Sequence, residues 1–226
     1  MLEDMIEMAR AHSDEDASSW ASRNAPNGGP ADKFGRDLGI PPCDFKGLAE
    51  YFGIPEWAIR LQDAMFHSLT DEVGTQIEWH VDVCEAFNRV RDWNPALHRV
   101  HVAILSVALV HAKTCRDLVA SVLSLHEQAA RGAWVSKRDW SCAAARALDA
   151  ATDAQIAIIQ GQKAQDYAAY SIADCAHETA LWWPAAFEGA ADCAYWASGE
   201  SSEVERHAYL QLRDLILAAL PTPVVS

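Results

Sequence analysis

The sequence of 226 residues lacks the short motifs that identify several large classes of enzyme. It contains no G-x-G-x-x-G and no G-x-x-x-x-G-K-[ST] loop, so nothing indicates a dinucleotide or nucleotide phosphate site. The strand-to-helix turn G-x-S-x-G, which presents the serine of many hydrolases, is missing as well. We therefore predict a protein that is not an enzyme and carries no cofactor, and we assign no catalytic residue.

Positive charge is scarce in this chain. It has 18 lysines and arginines against 32 aspartates and glutamates, which gives a net charge of −14. This excess of negative charge repels a phosphate backbone and argues against nucleic-acid binding. A basic protein partner, or a DNA-binding partner captured by an acidic mimic of DNA, is compatible with the charge.

The chain also lacks an export signal, a long apolar segment and closely paired cysteines. Its N-terminal residues are acidic and amphipathic, unlike a signal peptide. The longest apolar run, residues 102–110, makes about 14 Å of helix, less than half of a membrane's hydrocarbon core. No C-x-x-C occurs, and the cysteines are scattered through predicted helices, mostly beside apolar residues. Because no export signal is visible, we predict reduced core thiols in a cytoplasmic protein without membrane contact. The six cysteines are Cys43, Cys84, Cys115, Cys142, Cys175 and Cys193.

Helix signals dominate what is present, and no convincing strand is found. The pattern predicts a single all-α domain, a bundle of roughly eight to ten helices over residues 1–226. Residues 1–44 are predicted as two N-terminal helices and a loop that begins near residue 24, where glycine and proline cluster. Residues 45–131 are predicted as mixed amphipathic helices. Residues 132–220 are predicted as an alanine-rich helical subdomain, whose small side chains let neighbouring helices approach closely.

Histidine and cysteine recur at spacings that put two side chains on one helix face. Three such pairs are His80 with Cys84, His98 with His101, and His111 with Cys115. The second pair follows Asn94-Pro95, which predicts the N-cap and first residue of a long helix. Zinc needs three or four converging ligands, so one pair is half a site. We predict no metal site, and a His/Cys site built from these pairs is the alternative.

Tryptophan is abundant, with nine residues, most of which are expected to fill gaps between alanine-faced helices. Trp182 and Trp183 are adjacent, so they point about 100° apart on a helix and at least one is expected at an edge. An exposed tryptophan at an edge is typical of a partner-binding hot spot. The predicted partner-binding residues are Trp182, Trp183, Asp174, His177 and Glu178.

Several segments resemble a known group of proteins. IPEWAIRLQDAMFHSLTDE, EWHVDVCEAF, LHEQAARG and HAYLQLRDLILAAL, together with the alanine-rich helices, resemble uncharacterised bacterial and phage helical proteins with an alanine-rich C-terminal half. The C-terminal part is similar in texture to Imm-5-like immunity proteins. The resemblance implies the binding of another protein and supplies no catalytic residue.

These observations lead to one main hypothesis and two alternatives. We predict a non-enzymatic cytoplasmic interaction protein, an immunity- or inhibitor-like binder of another protein, with self-association left open. The first alternative is a helical protein that binds a metal or a small molecule through a His/Cys cluster. The second is a phage structural protein or a DNA mimic.

Overall fold

The structure is a computed structural model that describes residues 2–14, 29–69, 73–161, 163–182 and 186–221. The described residues form helices and no strand, which confirms the all-α class. This part of the chain has eleven helices, slightly more than the eight to ten predicted. They are α1 (Leu2–Ser13), α2 (Pro30–Leu38), α3 (Phe45–Phe52), α4 (Glu56–Ser68), α5 (Val73–Asn88), α6 (Trp93–His111), α7 (Arg116–Ala130), α8 (Lys137–Gly161), α9 (Ala164–Ala180), α10 (Phe187–Ala197) and α11 (Ser202–Ala219).

Helix α2 lies within residues 24–44, and the prediction of a loop there is wrong for this part. Pro30 occupies the first turn, where its missing N–H has no helical partner to lose. Gly39 follows the helix with a φ of 69°, and its N–H donates to the carbonyl of Arg36. The proline that looks like a breaker is therefore the first residue of a short helix, and the glycine is its C-cap. The second predicted N-terminal helix, which begins at Ser13, lies mostly outside the described residues.

The chain forms two compact units, one within Met1–Arg91 and the other within Asp92–Thr222. The single-domain organisation stays a prediction. In the N-terminal unit, α1 packs against α5, and α4 packs against α3 and α5. Large apolar side chains fill its core, and they include Phe34, Phe52, Leu61, Met65 and Trp79.

The C-terminal unit consists of α6 to α11. Helices α6 and α7 are packed neighbours joined by only four residues, so they run antiparallel. The most extensive helix pairing in the described chain is between α8 and α9. It buries alanines on both helices, among them Ala147, Ala151, Ala173 and Ala176. This pairing is the close packing that the alanine-rich sequence predicts.

Helix α6 carries two of the residues of interest, and it begins slightly earlier than predicted. Asp92 is its N-cap, because the Asp92 carboxylate accepts a hydrogen bond of 3.0 Å from the N–H of Asn94. Asn94 and Pro95 therefore lie in the first turn, and the predicted N-cap is wrong. No helix in the described ranges is long and apolar enough to cross a membrane.

Candidate metal centre

Three buried histidines meet at one end of the helices of the C-terminal unit. His98 and His101 lie one turn apart in α6, and His126 lies near the end of α7. The loop between α6 and α7 places His101 and His126 at the same level. His101 lies eleven residues before Ala112, where the loop begins, and His126 lies eleven residues after Cys115, where it ends. In an antiparallel hairpin, residues equally far from the loop lie side by side. One nitrogen atom from each ring lies within 4.8 Å of the other two.

A backbone carbonyl fixes the orientation of His126. The oxygen of Thr179, in α9, lies 3.0 Å from Nε2 of His126. Because a carbonyl only accepts, Nε2 carries the hydrogen. Burial, followed by repulsion from His101 and His98, lowers the pKa of His126 well below its usual range. The ring is therefore neutral at neutral pH, and its Nδ1 presents a lone pair. Nδ1 of His98 lies 3.0 Å away and donates to that lone pair.

Two tryptophans cover the histidine cluster next to His98. The indole of Trp140, in α8, is nearly parallel to the ring of His98, with centroids 5.7 Å apart and an interplanar angle of 8°. Trp182 follows α9 and stands perpendicular to both rings, with centroids 5.6 Å from His98 and 5.8 Å from Trp140. A cleft of about 720 Å³ opens at this layer and is lined by all three side chains.

The three histidines have the donor chemistry of a transition-metal site. Zinc binds imidazole nitrogens at about 2.0–2.1 Å, so a tetrahedral site separates its donors by about 3.3 Å. The Nδ1 atoms of His98 and His126 are 3.0 Å apart, so metal binding would increase this distance by a few tenths of an ångström. The widest donor pair, up to 4.8 Å apart, would close by up to about 1.5 Å. The carbonyl of Thr179 accepts a hydrogen bond from the other ring nitrogen of His126, as a carbonyl or carboxylate usually does for a metal-binding histidine.

His80 and Cys84 belong to a different cluster, in the N-terminal unit. Nε2 of Gln62 lies 2.9 Å from Nδ1 of His80 and 3.1 Å from Sγ of Cys84, so one amide donates to both. The other nitrogen of His80 lies 3.3 Å from Nδ1 of His12. Nε2 of His12 in turn lies 2.8 Å from the carboxylate of Asp37. These contacts form a buried hydrogen-bonded chain, and burial raises the pKa of the Cys84 thiol so that it stays protonated.

His111 is the last residue of α6, ten residues beyond His101, and Cys115 is the N-cap of α7. They line a second cleft, of about 620 Å³, together with Trp196. Burial lowers the pKa of His111 and raises that of Cys115, so both side chains favour their neutral forms. Cys115 has a φ of 59° immediately before α7, a left-handed conformation that is unusual for a residue with a Cβ. The three sequence pairs therefore occupy three separate places.

The described residues of the predicted partner-binding set lie along α9 and just after it, and Asp174 is one helical turn from Glu178. Trp182 is partly exposed on the cleft, and Trp183 lies outside the described residues. His177 donates from Nδ1 to the carbonyl of Ala144 at 2.9 Å, which joins α9 to α8. The pKa of Glu178 is raised to about 7 by burial and then by neighbouring carboxylates. His177 thus has a structural contact, and a partner-binding role for the set stays a prediction.

His126 is the residue of the cluster that the sequence reasoning missed. The sequence indicates His126 only through its position on the helix. It lies on the same buried face of α7 as Leu118, Val122 and Ala129. A polar residue on a buried stripe, level with His101 across a short hairpin, marks the site. Comparisons with known proteins add no further evidence, because no family model, curated protein or solved structure matches this chain.

Proposed function

We propose that the protein binds a transition-metal ion of the Zn²⁺ type through His98, His101 and His126. The observation that carries this proposal is the convergence of three buried imidazoles, with donor atoms within 4.8 Å of one another. Imidazole is a good ligand for zinc, copper and nickel, whereas calcium and magnesium prefer oxygen. The ion would replace the hydrogen that His98 and His126 now share.

The protonation states favour such binding. A histidine ligates only when the coordinating nitrogen is deprotonated, so protons and metal ions compete for it. Because the pKa values of His98 and His126 are lowered, protons compete weakly at neutral and mildly acidic pH. The carbonyl of Thr179 holds the hydrogen of His126 on Nε2 and so directs Nδ1 toward the ion.

The test is a zinc titration of protein purified without a histidine tag. Metal-free protein competes with a chromophoric chelator for Zn²⁺, and we expect one ion per chain. His126→Ala should weaken binding by more than about 100-fold, the upper end of the loss caused by removing a group that only hydrogen-bonds to a metal ligand. His111→Ala is the matched control, because this histidine belongs to the second cleft.

Two results would contradict the proposal. One is the absence of a stoichiometric site in the wild-type protein. The other is an equal loss of affinity in both alanine variants. Because His126→Ala also removes a buried ring, circular dichroism establishes that each variant is folded, and His101→Leu serves as a second variant of the cluster with better-preserved volume.

The self-association that the sequence analysis left open is a second proposal, and one observation favours it. Helix α8 exposes three large aliphatic side chains, Leu148, Ile156 and Ile159, within about 80° of its circumference. An apolar stripe of this kind is typical of a protein-binding surface. Sedimentation should show self-association that Ile159→Asp abolishes. A monomer at all concentrations would refute this face as a homo-oligomer interface.

A further inference from the structure

The candidate metal centre is buried to a degree that restricts the ions it can hold. His101 and His126 are fully buried, and His98 is 3% exposed. Of these three histidines only His98 lines the neighbouring cleft, and the indole of Trp140, itself 8% exposed, is stacked on the ring of His98. An ion held by the three rings would therefore be surrounded by protein, and a ligand from solvent would have to enter a closed layer.

The donors of this centre carry no charge. The converging group consists of three imidazoles, and within the described part of the chain neither a carboxylate nor a thiolate belongs to it. The pKa of His98 is lowered by burial, and that of His126 is lowered by burial and then by His101 and His98. A carboxylate beside either ring would instead favour the charged ring and raise its pKa. The charge of a bound ion is therefore not compensated by an anion among these side chains.

A buried centre with neutral donors favours an ion of low charge. The free-energy cost of moving an ion from water into a medium of low dielectric constant rises with the square of the charge. A divalent ion therefore costs about four times as much as a monovalent ion of the same size. Zinc sites commonly reduce this cost with thiolate or carboxylate ligands, or with an ionisable water at an open position. A closed layer of three neutral histidines favours a monovalent ion.

The number of donors favours the same class of ion. Zinc takes four ligands in a tetrahedral site, whereas monovalent copper is stable with three ligands in one plane. At a metal–nitrogen distance of about 2.0 Å, a trigonal ion separates its donors by about 3.5 Å. The Nδ1 atoms of His98 and His126 are 3.0 Å apart, and all three donors lie within 4.8 Å of one another, so this spacing falls within the observed range. Imidazole suits copper as well as zinc.

From the burial, the neutral donors and their number, we propose that the centre formed by His98, His101 and His126 prefers monovalent copper to divalent zinc. This inference rests on the proposed metal function and names the ion that the site holds most tightly. Cu⁺ lies among the three nitrogens and needs no fourth ligand. Binding is reversible coordination, and the oxidation state of the ion does not change.

Thiols also bind Cu⁺, so the test uses a background in which the accessible cysteines are serine. Cys43 and Cys142 are exposed and Cys115 is half-buried, whereas the other three cysteines are buried. The background protein therefore carries Cys43→Ser, Cys115→Ser and Cys142→Ser. None of these three residues belongs to the histidine cluster.

The test is the exchange of one ion for the other. The background protein is loaded with one Zn²⁺ per chain, one equivalent of Cu⁺ is added under argon as its acetonitrile complex, and the metal that stays with the protein after gel filtration is measured. We expect Cu⁺ to replace about nine-tenths of the zinc, which corresponds to a preference of about 100-fold. X-ray absorption at the copper edge should then show three nitrogens and no sulfur. His126→Ala should lose the copper, and His111→Ala, the matched control, should keep it.

A pair of variants tests the charge argument separately. Ala129 lies one turn beyond His126 on the same buried face of α7, and it lines the cleft beside His98. Ala129→Asp adds a carboxylate there, and Ala129→Asn adds an uncharged side chain of similar size. The carboxylate attracts a divalent ion more strongly, so the preference for Cu⁺ should be at least about tenfold lower in Ala129→Asp than in Ala129→Asn.

The outcomes separate this inference from the proposed function. If neither ion binds at one per chain, the metal proposal fails and this inference fails with it. If zinc binds but Cu⁺ does not displace it, or if the copper is found on sulfur, only the preference for Cu⁺ is overturned. Equal preferences in folded Ala129→Asp and Ala129→Asn also overturn it, because the charge of the ion would then not decide the selectivity.

Discussion

Acid should destabilise the N-terminal unit through His80. Its ring is fully buried, accepts a hydrogen bond from Gln62 at 2.9 Å and lies 3.3 Å from a nitrogen of His12. Burial, followed by the nearby charges of His12 and Lys33, lowers its pKa to about 3. The folded protein therefore keeps His80 neutral at pH values where the unfolded chain is protonated.

The magnitude follows from the two pKa values. The unfolded chain binds the proton as pH falls below about 6.5, and the folded protein binds it only near pH 3. The free energy of unfolding thus falls by about 1.4 kcal/mol per pH unit between these values. Above about pH 6.5 the protonation of His80 does not reduce the free energy of unfolding. By about pH 5 it has lowered that free energy by about 2 kcal/mol.

The assay is urea unfolding of the wild type and His80→Gln at about pH 7.5 and about pH 5. His207→Gln is the control, since His207 is exposed on α11. The variant should lose about 2 kcal/mol less than the wild type on acidification, whatever its stability at neutral pH. Asp63 has a raised pKa, so its effect on stability upon acidification is opposite to that of His80. Because Asp63 is present in both proteins, the comparison cancels its effect. Equal losses in the wild type and His80→Gln would refute the reasoning.

Three substitutions in the C-terminal unit test its packing and helix ends. Gly189→Val should lower the free energy of unfolding by about 1–3 kcal/mol in thermal melts, because a Cβ there would lie 3.0 Å from Cβ of Cys175. Arg99→Met should cost about 1–3 kcal/mol and speed amide exchange in the last turn of α11, since its guanidinium donates to the carbonyls of Ala219 and Leu220 at 2.7 and 3.1 Å. Ser201→Ala should cost about 0.5–1 kcal/mol in urea unfolding, because it removes the N-cap of α11. Changes below a few tenths of a kcal/mol would contradict each assignment.

The helices were predictable where the sequence carries both a cap and an apolar face. Asp44 caps Phe45–Phe52 and Ser201 caps the last helix, and both helices bury apolar residues. Pro30–Leu38 was missed because its capping glycine and proline are also the residues that break helices. Local sequence does not distinguish a cap from a breaker when the helix between two such residues is only nine residues long.

The candidate site was predictable only in part. The spacing of His98 and His101 identifies a shared face, which the structure confirms by burying both rings. Spacing within one helix does not say which other helix packs on that face, and this is why His126 was missed. The other pairs failed to join the site for the same reason, since His80 lies in the N-terminal unit and His111 lies at the far end of α6.

X-ray absorption at the zinc edge tests the metal proposal most directly. Protein loaded with one Zn²⁺ per chain should show three imidazole nitrogens at about 2.0 Å and one further light atom. The imidazole signal should fall in His126→Ala and persist in His111→Ala. A sulfur shell at about 2.3 Å would instead place the ion at a cysteine, and a shell of oxygen without imidazole would mean adventitious binding. Either result would contradict a centre formed by His98, His101 and His126.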